Sequence, residues 1–440
     1  MLPPPQTFRQ RLRYLGPGFI LSAAIVGSGE LIATTALGAK GGFVTFWVIL
    51  VSCLVKVALQ LEFGRNAIYT GLPTMQSINR LEGKRIGKAH LVIWLWLSVQ
   101  VFKLLQMGGV VGGVAIVLYM VFPFLSSDIW AIVASVITAL LVYRGYYGSV
   151  ERGALLMILL FTVAVLISLV SLQFTPYRIT ASSLVSGLTF SLPPAVVGVA
   201  FGAFGITGVG GDEIMFYNYW CIEKGYATYT GPNDGSTEWA ARAKGWIEVM
   251  YLDAFCSMLV YTLVTAAFYL LGAALLHQKG SIPEGYAMVE TLSRLFTDTL
   301  GPWAKALFLV GAFFVLYSTV FSATASFARI FGDAFGQLGW VKFDTPTDQK
   351  RMIGAFSWVF PLLWCVLYLL IKMPVAMVLL GGVATSVLLV VVAWVAVQFR
   401  YRQVPSTLTP SRSFDFFFWV SVVSILLVSG YGLWQAIKID

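Results

Sequence analysis

Eleven apolar runs divide the chain, at about 15–38, 43–63, 91–121, 128–143, 153–173, 191–219, 246–276, 302–328, 352–371, 374–399 and 414–436. A helix needs about 20 predominantly apolar residues to cross the hydrocarbon core of a bilayer, so each run reads as a membrane span. The expected fold class is therefore an all-α polytopic membrane protein. Two runs are broken in the middle. The first carries Gly27-Ser28-Gly29-Glu30, and the sixth carries Gly208-Val209-Gly210-Gly211-Asp212-Glu213, about 180 residues later. Glycine loosens a helix, and a carboxylate at that depth is rejected by lipid unless something compensates it.

Composition narrows the class. With 58% hydrophobic and only 11% charged residues among 440, the chain departs from water-soluble domains, which are roughly a quarter charged. The net charge of +9 is spread over short loops instead of being gathered on one domain, so it is a topology signal and no nucleic-acid partner is expected. With the N-terminus cytoplasmic, twenty Lys and Arg residues fall inside and seven outside, which predicts an external C-terminus. No short apolar core with a cleavage site follows the basic residues 1–13, so the first helix is expected to stay. Cys53, Cys256 and Cys365 fall within spans and Cys221 just beyond one, which argues against a disulfide framework or a thiolate cluster.

If five helices separate spans one and six, the two broken helices enter the membrane from opposite sides. Interrupted helices in corresponding positions of two halves point to a transport site near the bilayer midplane. The expected organisation is a single transmembrane domain, with one repeat over about 15–173, an inverted second over about 191–399, and an extra helix at 414–436. Gly108, Gly109, Gly112 and Gly113 on span three read as a helix-packing device. The longest polar loops, 221–244, 278–301 and 332–349, are too short for separate domains.

Glu30, Asp212 and Glu213 are the candidate site acids, each costing about 2.5–3.5 kcal/mol at mid-bilayer. A bound cation, unwound carbonyls and water would offset that cost. Asp212 and Glu213 are adjacent and cannot point the same way on a helix; Asp212 is the preferred ligand and Glu213 the second choice. Carboxylates and carbonyls suit hard cations, and both histidines, His90 and His277, lie near span ends. Lys56, Glu62, Lys103, Glu248 and Asp253 are further charges in the spans. Glu62 is expected to reach an interface, and Lys103 to make a salt bridge inside the bundle, with Glu248 or Asp253 as its partner or as vestibule lining.

Leu15-Gly16-Pro17-Gly18-Phe19 resembles the lead-in to the first helix of the Nramp family of divalent-metal transporters, and the stretch from Arg65 to Thr70-Gly71 is similar to that family's motif after the second span. The resemblance, which extends through the eleven-span layout, implies a LeuT-like inverted repeat with helices 1 and 6 broken. The family's Asp-Pro-Gly-Asn falls on residues 27–30, so its metal-binding Asp corresponds to Gly27 and its Asn to Glu30. Its Met-Pro-His corresponds to Gly210-Gly211-Asp212, without the soft ligand. Span three offers Gln100, Lys103 and Gln106 where the family has acids for proton movement. Carried over, the resemblance implies Glu30, Asp212 and the carbonyls around Gly27 and Gly208 as ligands, in a divergent branch associated with Mg²⁺.

The expectation is a secondary transporter or uniporter in a prokaryotic plasma membrane. It would move Mg²⁺, with Mn²⁺ next, by alternating access without strong proton coupling. The metal is cargo, so no cofactor and no enzymatic activity are expected. The alternative is an amino-acid or other organic-solute transporter of the same architecture, because Ile-Val-Gly-Ser-Gly resembles the first-helix motif of such proteins; Glu30 beside the break would repel a substrate carboxylate. An intramembrane aspartyl protease would need Gly-x-Gly-Asp, and residues 209–212 read Val-Gly-Gly-Asp.

Overall fold

The computed structural model describes residues 1–27, 29–277 and 286–437. Ser28, Lys279, Lys438 and the start of the 278–301 loop, all used in the sequence reading, lie outside the described residues. Among the described residues nine helices are long and apolar enough to cross a membrane, a bent pair makes a tenth span, and a shorter apolar helix lies at the fourth run, so that an apolar helical element stands at each of the eleven runs. Span one comprises Pro17–Ile25 and Gly29–Gly41, bent by 53°. Spans two to five are Phe46–Thr70, Leu91–Val121, Ser127–Val142 and Tyr147–Leu172, and span six is Pro194–Lys224 with a break inside it. Spans seven to eleven are Thr237–Leu275, Pro302–Leu338, Pro346–Ile371, Pro374–Gln398 and Arg412–Ile437.

Local chemistry sets the starts. Spans one, eight, nine and ten begin with proline, whose missing N–H costs nothing in a first turn and whose φ suits a helix. Ser126, Ser236 and Thr345 cap spans four, seven and nine by accepting the N–H of Ile129, Trp239 and Asp348. The Ser236 and Thr345 caps start their helices before the apolar cores, and span eight outlasts its own at the other end. Span seven starts at Thr237 instead of 246, and span eight runs on to Leu338, so the loops expected at 221–244 and 332–349 are largely helical. A two-stranded hairpin, Arg85–Ile86 against Ala89–His90, precedes span three.

The packing carries the repeat. The most extensive helix pairs are three with ten and five with eight. Adding five to each number, counted around ten, converts one pair into the other. The same operation relates three–four to eight–nine, two–six to one–seven, and one–five to six–ten, all of which are in contact. Spans one and six meet at the centre of this arrangement, and span eleven packs against ten and the first half of six. The glycines of span three do serve packing. A Cβ on Gly109 would strike the Pro374 carbonyl, and one on Gly112 the ring of Tyr368, so spans nine and ten approach closely there.

Candidate cation site between the broken helices

Span one leaves helical geometry at Val26 (ψ 100°) and resumes at Gly29 through a wide helical turn that runs to Thr34. Span six leaves at Thr207 (ψ 147°) and resumes at Gly211. Between them Gly208 has φ +71°, and a Cβ there would lie 3.1 Å from the Cα of Cys53. Only glycine meets both demands without strain.

Glu30 joins the two breaks. Its side chain is fully buried; one oxygen accepts the N–H of Gly27 at 3.0 Å and the other that of Gly208 at 3.4 Å. Interrupting each helix releases backbone groups that lipid cannot satisfy, and this carboxylate satisfies one on each side. On the far wall, Thr319 of span eight donates to the Val26 carbonyl at 3.1 Å, and a Cβ on Gly27 would collide with its hydroxyl.

A cavity of about 50 Å³ lies at this junction, bounded by Glu30, Glu213, Lys103, Met107, Thr319 and Thr385 among others, with Gly27 and Gly208 in its wall. That volume holds roughly four water-sized positions. The neighbouring acids of span six diverge, as adjacent helical residues must. Glu213 faces the cavity. Asp212 turns to span three, where it accepts Gln100 Nε2 at 2.9 Å and Trp96 Nε1 at 3.4 Å and pairs with Lys103 Nζ at 3.4 Å. Lys103 also donates to Thr385 Oγ1 at 2.9 Å.

The partner of Lys103 is thus Asp212, not Glu248 or Asp253. Glu248 pairs with Arg11, and Asp253 accepts the N–H groups of Gly16 and Gly18 at 2.7 and 2.6 Å and the Tyr217 hydroxyl at 3.0 Å. Asp253 therefore caps the start of span one, where a helix presents unpaired N–H groups to an anion. Glu62 is fully buried between Arg65 and Arg400. All four cysteines are free.

Among the described residues no three His, Cys, Asp or Glu side chains are gathered as a metal cluster. A cation here would be held by the Glu30 and Glu213 carboxylates, backbone carbonyls, threonine hydroxyls and retained water. Two features of the wall were not legible as such in the sequence. Met107 brings a thioether from span three, although span six lacks one, and Lys103 brings a positive charge. Both sit mid-span, which is the signal that marks them, but their helical face could not be fixed without knowing what packs around them.

Eleven apolar helices, two of them broken and facing each other over a buried acid-lined cavity, define a membrane transporter of the inverted-repeat class. The chain belongs to the Nramp family: the model described as "Natural resistance-associated macrophage protein-like" matches residues 18–435. Among its relatives, the divalent metal cation transporter MntH of Bacillus subtilis is 26% identical over 350 residues, covering 79% of this chain and 75% of that protein. MntH of Deinococcus radiodurans is 23% identical, covering 98% and 92%. The structure of the Eremococcus coleocola manganese transporter, solved with an aromatic bis-isothiourea substituted compound, matches with a TM-score of 0.72 at 13% identity, covering 98% and 88%. MhsT in complex with L-phenylalanine shares the fold with a TM-score of 0.60 at 14% identity, covering 94% and 98%.

Proposed function

We propose that this protein carries a divalent metal cation across a membrane by alternating access, with the ion bound between the breaks of spans one and six. The observation that carries the reading is that Glu30 and Glu213 face one small buried cavity at those breaks. Gly27 and Gly208 shape the cavity and present backbone to it, while Asp212 acts through Lys103 and so sets the charge of the wall. The metal is cargo and not a resident cofactor.

Mg²⁺ is the preferred cargo in this reading, with Mn²⁺ second. The donors are hard oxygens, the cavity leaves room for retained water, and Mg²⁺ dehydrates reluctantly. Span three supplies Gln100, Lys103 and Gln106 but no acid, which favours transport without strong proton coupling. The excess of basic residues on one side supports a cytoplasmic N-terminus and an external C-terminus. The repeats are read as about 15–173 and 191–399.

Lys103 in the wall gives the alternative, a zwitterionic organic solute such as an amino acid, its specific support. The cavity volume weighs against it, since roughly four water-sized positions suit a partly hydrated ion better than an amino acid with its side chain. Proteoliposomes separate the readings: flux of Mg²⁺ or Mn²⁺ that other divalent ions inhibit, and amino acids do not, is expected. Uptake of amino acids with no divalent flux would replace the first reading by the second.

A further inference from the structure

The first half of span six ends in mid-protein, and a helix end of this kind leaves its last carbonyls without partners and gathers the negative end of the helix dipole. At this end the partner is an ammonium group. Lys56 of span two, fully buried, donates from Nζ to the carbonyls of Phe204 at 2.6 Å and Thr207 at 2.5 Å. The hydroxyl of Ser52, one turn earlier, donates to the same two carbonyls at 2.9 and 3.1 Å and accepts from Thr207 Oγ1 at 2.9 Å. The ring of Phe204 lies 5.1 Å from the ammonium. Glu30 and Glu213 are both within electrostatic range of it.

Two carbonyls at a broken-helix C-terminus, hydroxyls beside them and acids nearby form the chemistry that coordinates a small monovalent cation in transporters of this architecture. We propose that Lys56 is a tethered cation: its ammonium fills a monovalent-cation site at the end of the first half of span six and keeps the break in place without a free ion. The site is distinct from the acid-lined cavity, and its occupancy does not depend on which cargo the cavity takes.

A consequence is that the wild-type protein has no need of Na⁺ or K⁺, and that removing the side chain while leaving its space creates such a need. The experiment compares wild type, Lys56→Ala and Lys56→Met by thermal unfolding in lipid nanodiscs. Na⁺, K⁺ or methylammonium is titrated at constant ionic strength against choline, which is too large to enter. Lys56→Ala is expected to unfold earlier in choline and to recover by about 3 °C or more, saturably, with Na⁺, K⁺ or methylammonium. Wild type and Lys56→Met, whose side chain fills the space, are expected to respond to none of them. Equal behaviour of Lys56→Ala in choline and in all three test cations overturns the proposal, as does a saturable Na⁺ or K⁺ response of the wild type. If Lys56→Ala is too unstable to purify, Lys56→Met and Lys56→Arg decide. Recovery with Arg but not Met supports a charge requirement, whereas wild-type stability of Lys56→Met overturns it. The unfolding readout is independent of divalent flux, so failure here leaves the cargo assignment standing or falling on its own test.

Discussion

The carboxylate of Glu30 accepts the N–H of Gly208 at 3.4 Å, tying the break in span one to the break in span six across 178 residues of sequence. A long contact of this kind is weak, and in the proposed function it would leave the carboxylate free to turn toward an arriving cation. The same carboxylate holds Gly27 more closely, at 3.0 Å, so Glu30 belongs structurally to span one and only leans on span six.

Because Glu213 faces the cavity and Asp212 faces span three, neutralising them has different consequences. Glu213→Gln is expected to weaken divalent-ion binding by at least about tenfold, the loss of roughly 1.4 kcal/mol from one charged ligand. Asp212→Asn leaves Lys103 without its counter-charge in a buried setting and is expected to destabilise the fold by about 3 kcal/mol. Paired titration calorimetry and thermal unfolding check this; a larger loss of affinity from Asp212→Asn than from Glu213→Gln would reverse the assignment.

At Gly208 the demand is steric. Alanine would adopt a left-handed conformation at a cost of about 1–2 kcal/mol and would press on the Cα of Cys53, 3.1 Å away. Gly208→Ala is expected to lower both thermal stability and flux, and unaltered flux in liposomes would show that the break needs no glycine there.

Met107 lines the cavity and is the one sulfur-bearing residue among those lining it. Met107→Leu keeps its volume and removes the sulfur, so Mn²⁺ affinity should fall several-fold more than Mg²⁺ affinity. Competition titrations of the two ions read this directly. Equal changes for both would mean that the thioether only packs.

Asp253 holds the first turn of span one through the N–H groups of Gly16 and Gly18. Asp253→Asn trades an ionised acceptor for a neutral amide and is expected to loosen that end. A cysteine introduced at Ser22 should then be alkylated faster than in an otherwise unaltered background. No change in labelling rate would assign Asp253 to stability alone.

The fold was legible because spanning a membrane imposes a length of apolar sequence, and all eleven runs coincide with helices. Their polar extensions were not, because capping by Ser236 and the continuation of span eight past its apolar core lie outside a hydropathy criterion. The broken helices announced themselves by pairing glycine with acid, and the structure brings Gly27, Glu30, Gly208 and Glu213 to one cavity. Which of Asp212 and Glu213 faces it was beyond the sequence, since the phase of a helix after an irregular break depends on Gly208 and Gly210, not on periodicity. The pairing of Lys103 with Asp212 and the seat of Lys56 on the carbonyls of Phe204 and Thr207 are contacts over more than 100 residues, set by tertiary packing.

The central claim, that a divalent cation binds between the two breaks, is tested most directly by titrating Mg²⁺ and Mn²⁺ into purified wild type and Glu30→Ala by calorimetry. Saturable binding to the wild type, weakened at least about tenfold in a folded Glu30→Ala protein, is the predicted result. Equal affinity in the two proteins, or no binding of either ion to the wild type, would contradict it.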